Sequence, residues 1–301
     1  MSTTTPTPAG TLPTPGAADD PRPPPVVVGA DGSECGLRAV RWAVEEAVRR
    51  EAPLRIVHAT PHLGHRGVAG SPAGELPRAR GATAQAYTVA RHTAPSVEVS
   101  TEVAPGEPVQ ALLRAAEGAQ LVVLGIATTG ALDEMVLASV AYKVAARSPR
   151  PVVVVPRSRP GGTGSRPHVA VLGLGDREDD EPVAVFAAEE ALRADRPLLV
   201  LHTRADDGGA WGADSPRWTE RWPDLHATHT AVPGATGGRV LAAACPTPLM
   251  SMSAGHGGLL QRPLDGLHRW LLRHCTSPMA FVPPVHRLTG KEPSEEIIAV
   301  G

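Results

Sequence analysis

Trp42-Ala43-Val44-Glu45-Glu46-Ala47-Val48-Arg49-Arg50-Glu51-Ala52-Pro53-Leu54-Arg55-Ile56-Val57-His58 returns later in the chain as Phe186-Ala187-Ala188-Glu189-Glu190-Ala191-Leu192-Arg193-Ala194-Asp195-Arg196-Pro197-Leu198-Leu199-Val200-Leu201-His202. Val27 and Gly29 recur at the same offset as Val171 and Gly173. Arrays that bury a face only by stacking repeat every few tens of residues, so a repeat this far apart is a whole domain. Each copy has a helical stretch that exits at a proline and runs into an apolar strand.

Working outward, Val26 to Gly29 reads as a buried strand and Leu37 to Arg50 as a helix capped near Ser33, followed by a strand from Leu54 to Ala59. His62 to Gly81 is Pro/Gly-rich and reads as a loop, Ala82 to His92 as a helix, and Val97 to Val103 as an alternating strand. Glu107 to Glu117 is an amphipathic helix, Leu121 to Leu124 an apolar strand ending in Gly125, Ser139 to Arg147 a helix and Val152 to Val155 a last strand. The second copy repeats the order, with strands near Val169 to Gly173, Leu198 to His202, Leu225 to Thr230, Leu249 to Ser253 and Met279 to Val282. Strands alternating with helices give an α/β fold, here two doubly wound parallel-sheet domains in tandem. The stretch from His202 to Thr230 is shorter than its counterpart from His58 to Thr101, so the second crossover helix is cut down there. Trp211, Trp218 and Trp222 fall in that stretch and are expected to cover the sheet face instead.

The 301 residues suit two domains that each enclose a core. The expected layout is a disordered tail at 1–25, domains at 26–156 and 168–283, a Gly/Pro-rich linker at 157–167 and a C-terminal tail at 284–301. With a formal charge of −2, arginine far outnumbering Lys143 and Lys291, and no basic run longer than a few residues, nothing in the sequence resembles a nucleic-acid footprint. No apolar run is long enough to span a bilayer. Cys35, Cys245 and Cys275 form no CxxC pair and are odd in number, which points to reduced thiols. A cytoplasmic location is therefore expected.

Val26-Val27-Val28-Gly29-Ala30-Asp31-Gly32-Ser33, the helix around Trp42 to Ala47, Leu54 to Ala59, Leu121 to Gly125, Ala138-Ser139-Val140 and Arg150 to Val155 together resemble the universal stress protein family. The resemblance covers both copies, as in the family's tandem members. It implies five-stranded sheets of strand order 3-2-1-4-5, stress-linked expression and, in some members, adenine-nucleotide binding. It also implies last strands that pair antiparallel across a dimer, which here gives an internal pseudo-dimer of the two copies.

In such a sheet the ligand crevice lies where strand order reverses, between the first and fourth strands. The resemblance places base and ribose near Ala30, Asp31 and Ala59, and phosphates near a G-x-x-G-x9-G-S/T motif. Here Gly125 and Ser139 stand, Thr128 and Ala138 replace the other two glycines, and Val140 follows. The segment from Ile126 to Ala138 holds Asp133 and Glu134 but no Lys or Arg, so its field opposes a polyphosphate. AMP or an adenosine-type ligand is thus expected ahead of ATP, and no cofactor is certain. In copy two, Gly175, Met252, Gly255, Asp265 and Gly266 take the places of Asp31, Gly125, Thr128, Ala138 and Ser139, with Asp265 capping the last helix, so nucleotide is not expected there.

Gly255-His256-Gly257-Gly258 lacks the lysine of a P-loop and reads as a turn. His58 and His202 read as hydrogen-bonded strand-end histidines. His62 and His65 lack companions for a metal, and His226 and His229 face opposite ways on a strand. Neither a catalytic base nor a basic phosphate clamp is visible, so the chain reads as a non-enzyme. The leading expectation is a stress-response sensing or regulatory protein with at most one weak nucleotide site. A nucleotide-free scaffold acting through an unknown protein partner comes second, and an ATP hydrolase last.

Overall fold

The apolar runs become β-strands because they are buried on both faces, as strands of a parallel sheet must be. The computed structural model describes residues 22–61, 74–126, 132–157, 169–172, 180–202, 216–232, 234, 236–254 and 266–284. The first copy supplies β1 (Val26–Gly29), α1 (Glu34–Arg49), β2 (Leu54–Thr60), α2 (Glu75–Thr93), β3 (Val99–Pro105), α3 (Pro108–Glu117), β4 (Leu121–Gly125), α4 (Leu132–Arg147) and β5 (Val152–Val155). The second supplies β6 (Val169–Leu172), α5 (Glu181–Arg193), β7 (Leu198–His202), α6 (Pro216–Arg221), β8 (Ala227–Ala231), α7 (Gly237–Ala244), β9 (Met250–Ser253), α8 (Gly266–His274) and β10 (Met279–Val282). The tails and linker expected from the sequence lie largely outside the described residues.

All ten strands form one sheet in the order β3-β2-β1-β4-β5-β10-β9-β6-β7-β8. Read from each outer edge inward, both halves have the doubly wound order 3-2-1-4-5. Every pairing is parallel except one. β5 and β10 run antiparallel, with Val152, Val153 and Val154 opposite Phe281, Ala280 and Met279. Two apolar layers cover the sheet, and both continue across this seam. Val153 and Ala280 join the layer with residues of α1, α2 and α5, while Val152, Val154, Met279 and Phe281 join the layer with residues of α3, α4, α7 and α8.

Three helix starts differ from the sequence reading. α1 begins at Glu34, before Leu37, because Ser33 caps it with its side chain. α2 begins at Glu75 and runs through Gly81, burying Ala79, Ala82, Thr83, Ala86 and Ala90 as one stripe. The stripe has helical spacing, and packing on the sheet overrides the cost of an interior glycine. α4 begins at Leu132, so Ala138 and Ser139 lie inside a helix and not at its start.

The copies also differ in register by one residue. β1 pairs with β2 as Val26↔Leu54, whereas β6 pairs with β7 as Val169↔Leu198. Ala170 therefore takes the sheet position of Val27, and Leu172 that of Gly29. The expected equivalence of Val27 with Val171 and of Gly29 with Gly173 fails, because a one-residue slip turns every side chain to the other face. Val27 and Val171 indeed belong to opposite layers. The equivalence does hold from the helix onward. Glu51 and Asp195 each adopt φ 50 just past α1 and α5, and Ala52 and Arg196 donate back to Ala47 and Ala191 over the same 2.9 Å. In the shortened region, α6 replaces a full crossover helix, and Trp218 and Trp222 pack on the core with ring centroids 5.7 Å apart. Trp211 lies outside the described residues.

A buried ionic cluster ties the halves together beside the seam. Glu46 is bound by Arg49 at 2.7 Å and Glu190 by Arg193 at 2.8 Å, a matched arrangement from the repeat. Arg50, aligned with Ala194, breaks the symmetry by donating to both Glu46 and Glu190. Its guanidinium lies 5.8 Å from the Phe186 ring and donates to Gln120 at 3.3 Å. Burial and then the neighbouring Glu46 charge push the Glu190 carboxyl up to about 7, against the pull of Arg50. Burial also acts to raise Glu46, but the charges of Arg50 and Arg49 outweigh it and hold that carboxyl below its ordinary value.

Glu190 thus binds a proton in the folded chain that it would lose unfolded, between the ordinary carboxylate value of 4.5 and about 7. Stability contributed by that proton is present at the acid end of the window and is lost as pH rises through it. Glu46 has the opposite sign and loses its contribution only at lower pH. Urea unfolding from roughly pH 5 to pH 8 should show wild type losing about 1–3 kcal/mol relative to Glu190→Gln as pH rises. A constant difference between the two proteins across that range would contradict the assignment.

Candidate functional site

At the point where strand order reverses, the ends of β1 and β4 part and leave a cavity of about 150 Å³. Gly29 of β1 lines it with Ala30 and Asp31 just beyond the strand, Val57, His58 and Ala59 line it from β2, and Leu124 and Gly125 from β4. Pro108 and Leu112 of α3, Val140 and Ala141 of α4, and Gly36 of α1 complete the wall. The wall is largely apolar, and among the described residues it includes no lysine or arginine.

Asp31 sits at the cavity edge as the anchor of α1. Its Oδ1 accepts from the Ser33 backbone N–H at 2.9 Å and from the Ser33 hydroxyl at 2.6 Å. Ser33 Oγ in turn accepts from the Gly36 N–H at 3.0 Å, so one relay fixes the helix start against the strand end. A Cβ on Gly36 would come within 2.5 Å of Asp31 Oδ1. His58 holds the opposite wall, with Nδ1 2.7 Å from the carbonyl oxygen of Ala30. Nδ1 is therefore the donor, and the hydrogen-bonded strand-end reading of His58 describes its geometry.

Gly125 has a packing reason of its own. A Cβ there would lie 2.2 Å from the carbonyl oxygen of Cys35 in the first turn of α1. On Gly29 it would lie 2.7 Å from Leu124. These glycines let β1, β4 and α1 approach closely enough to shape the cavity.

Of the residues singled out in the sequence, Ala30, Asp31, Ala59, Gly125 and Val140 line this one cavity. Thr128 lies outside the described residues. Ala138 and Ser139 fall in the second turn of α4, where backbone N–H groups serve the helix's own ladder. The unsatisfied N–H groups of a helix belong to its cap and first three residues, here Leu132 to Glu134 within the helix. Sequence reasoning missed Gly29, Gly36, Val57, Pro108, Leu112, Leu124 and Ala141 as lining residues, and it read His58 as structural. Gly36 and Pro108 were legible as residues at helix starts, but the others look like ordinary core.

The second half is built differently. β9 pairs with β6 as Met250↔Ala170, whereas β4 pairs with β1 as Val122↔Val27, so Ser253 and not Met252 takes the position of Gly125. The two glycine positions that shape the first cavity thus carry Leu172 and Ser253. His202 is buried, with its Nε2 2.9 Å from His229 Nδ1, and Trp218 meets the His229 ring edge-on. His226 lies outside β8, so the expected pairing of opposite faces on one strand does not arise. Gly175, Gly255 and Asp265 lie outside the described residues, and α8 begins at Gly266.

Residues 24–156 match the model of the universal stress protein family. A universal stress protein of Mycobacterium tuberculosis is 31% identical over 223 residues, covering 71% of this chain and 79% of that relative. The chain belongs to the universal stress protein family. It is a tandem member. A universal stress protein of Mycolicibacterium smegmatis is 27% identical over 289 residues, covering 86% of this chain and 97% of that relative. A universal stress protein crystal structure from Archaeoglobus fulgidus has the same fold, with a TM-score of 0.66 at 13% identity over 87% of this chain and 97% of the other. Among the described residues no helix is long and apolar enough to cross a membrane.

Because the obstacle at Gly125 is backbone and not a mobile side chain, Gly125→Ala should cost about 3 kcal/mol or more in denaturant unfolding. A loss below about 0.5 kcal/mol would mean that α1 and β4 are not in this contact.

Proposed function

We propose that this universal stress protein is a non-catalytic sensing or regulatory module of the stress response, taking one adenosine-type ligand in the first repeat and none in the second. The observation that carries the reading is the switch-point cavity of about 150 Å³. Whole drug-sized ligands fill about 300–1,000 Å³, so a cavity of about 150 Å³ has room for a flat base and not for a whole nucleotide. An adenine base therefore enters, while ribose and any phosphate stay at the mouth beside Asp31 and α4. With no basic side chain in the wall among the described residues, triphosphate gains nothing over monophosphate there.

The division into two domains near residues 26–156 and 168–283 belongs to the same proposal. So does an internal pseudo-dimer, in which the second repeat occupies the place of a partner chain. The antiparallel register of β5 with β10 supports it. A second reading, a scaffold that binds protein partners without nucleotide, is favoured by the start of α4 at Leu132, which commits the amides of Ala138 and Ser139 to the helix.

Calorimetric titration of the full chain with adenosine, AMP, cyclic AMP and ATP separates these readings. The proposal expects one site per chain, with ATP bound no more tightly than AMP. Asp31→Ala, shown to be folded by its circular dichroism, should lose the binding heat. Two sites per chain, ATP as the tightest ligand, or no heat with any of the four would overturn it.

A further inference from the structure

Cys245 and Cys275 are thirty positions apart in sequence, and their sulfur atoms lie 3.5 Å from each other. Cys245 caps the C-terminus of α7, and its N–H donates to Leu241 O at 2.8 Å. Cys275 directly follows α8, and its N–H donates to Leu271 O at 2.7 Å. The two chain segments are also tied by Thr247 N–H donating to Ser277 Oγ at 3.0 Å. They then enter β9 and β10, which lie side by side.

The first repeat shows what stands in these places without cysteine. There Gly118 caps α3, and Ser148 follows α4. Ser148 Oγ donates to Arg150 O at 2.7 Å and accepts from Arg150 N–H at 3.0 Å. Cys275 Sγ reproduces that turn, donating to Ser277 O at 3.5 Å and accepting from Ser277 N–H at 3.4 Å. Serine already meets the structural need, with shorter bonds. The second repeat has cysteine at both places, and the two meet.

We propose that Cys245 and Cys275 form a reversible dithiol–disulfide couple oxidised by hydrogen peroxide, locking the ends of α7 and α8 together. Cys245 is half-buried and Cys275 buried, so the oxidant reaches Cys245 first. The Cys245 thiolate attacks one peroxide oxygen, the O–O bond breaks, and hydroxide leaves to take up a proton as water, with Cys245 becoming a sulfenic acid. Cys275 then loses its proton, its sulfur attacks the Cys245 sulfur, the S–O bond breaks, and a second water leaves. Two thiols and one peroxide yield one disulfide and two waters. A dithiol reductant reverses it by exchange.

Both thiols sit at helix C-termini, whose partial negative charge disfavours thiolate. The hydrogen bond with Cys245, together with burial, raises the Cys275 thiol above its ordinary range. The couple is accordingly a slow lock and not a peroxidase.

Treating the folded full-length chain with hydrogen peroxide should reduce its titratable thiols from three to one, with Cys35 remaining. Mass spectrometry should find the Cys245 and Cys275 peptides joined with loss of two hydrogens, and dithiothreitol should undo this. The oxidised protein should melt about 5 °C or more above the reduced one. In Cys275→Ser, a sulfenic acid on Cys245 should become trappable by dimedone. Linkage through Cys35, linkage only between chains, or overoxidation of Cys245 in wild type without linkage would overturn the proposal, and wild type alone decides these outcomes.

Discussion

The antiparallel pairing of β5 with β10 is the constraint on which the rest of the structure depends. Each half-sheet would otherwise end in a short apolar strand with unpaired backbone groups, an edge that invites association. Val152–Val155 and Met279–Val282 are fully buried because each half closes the edge of the other. The outer edges need no such cover. β3 and β8 carry exposed polar residues, and Arg55 forms an ion pair with Glu102 across β2 and β3.

Closing one edge also places α1 and α5 side by side on one face, and their repeated Glu-Arg pairs meet there. Two buried carboxylates with only their own partners, Arg49 and Arg193, would repel each other. The single Arg50 answers both, which leaves Glu46 charged and Glu190 protonated at mildly acid pH. An interaction of this kind adds little net stability over an apolar replacement, but removing one member leaves a buried charge uncompensated. The cavity lies away from that contact, at the strand ends, where Gly29 and Gly125 thin the wall in one repeat and Leu172 and Ser253 occupy the corresponding positions in the other.

The fold was legible because all-apolar runs such as Leu121 to Leu124, set between helical patterns, leave few architectures open. The repeated Glu-Glu-Ala segment also fixed where the second copy lay. What failed were features set by tertiary contact. Gly81 hid the first part of α2, whose alanine stripe is amphipathic only with respect to the sheet. The match of Gly29 with Gly173 was misleading, since identity along the chain says nothing of which face a strand residue takes, and hydrogen-bond register does. Of the site, the glycine and aspartate at the strand ends could be read from the order of elements. Leu112, Leu124 and Ala141 could not, because a cavity wall and a core are made of the same residues. The approach of Cys245 to Cys275 had no sequence signal other than the replacement of a glycine and a serine between repeats.

Amide hydrogen exchange at the seam tests the central claim most directly, by following the backbone N–H groups of Val152 to Val155 and Met279 to Val282 in the native full-length chain. Both sets should exchange only with global unfolding and respond equally to denaturant, as central strands do. Exchange through small local openings in either strand, while β1 and β6 remain protected, would mean that the two half-sheets are not joined there.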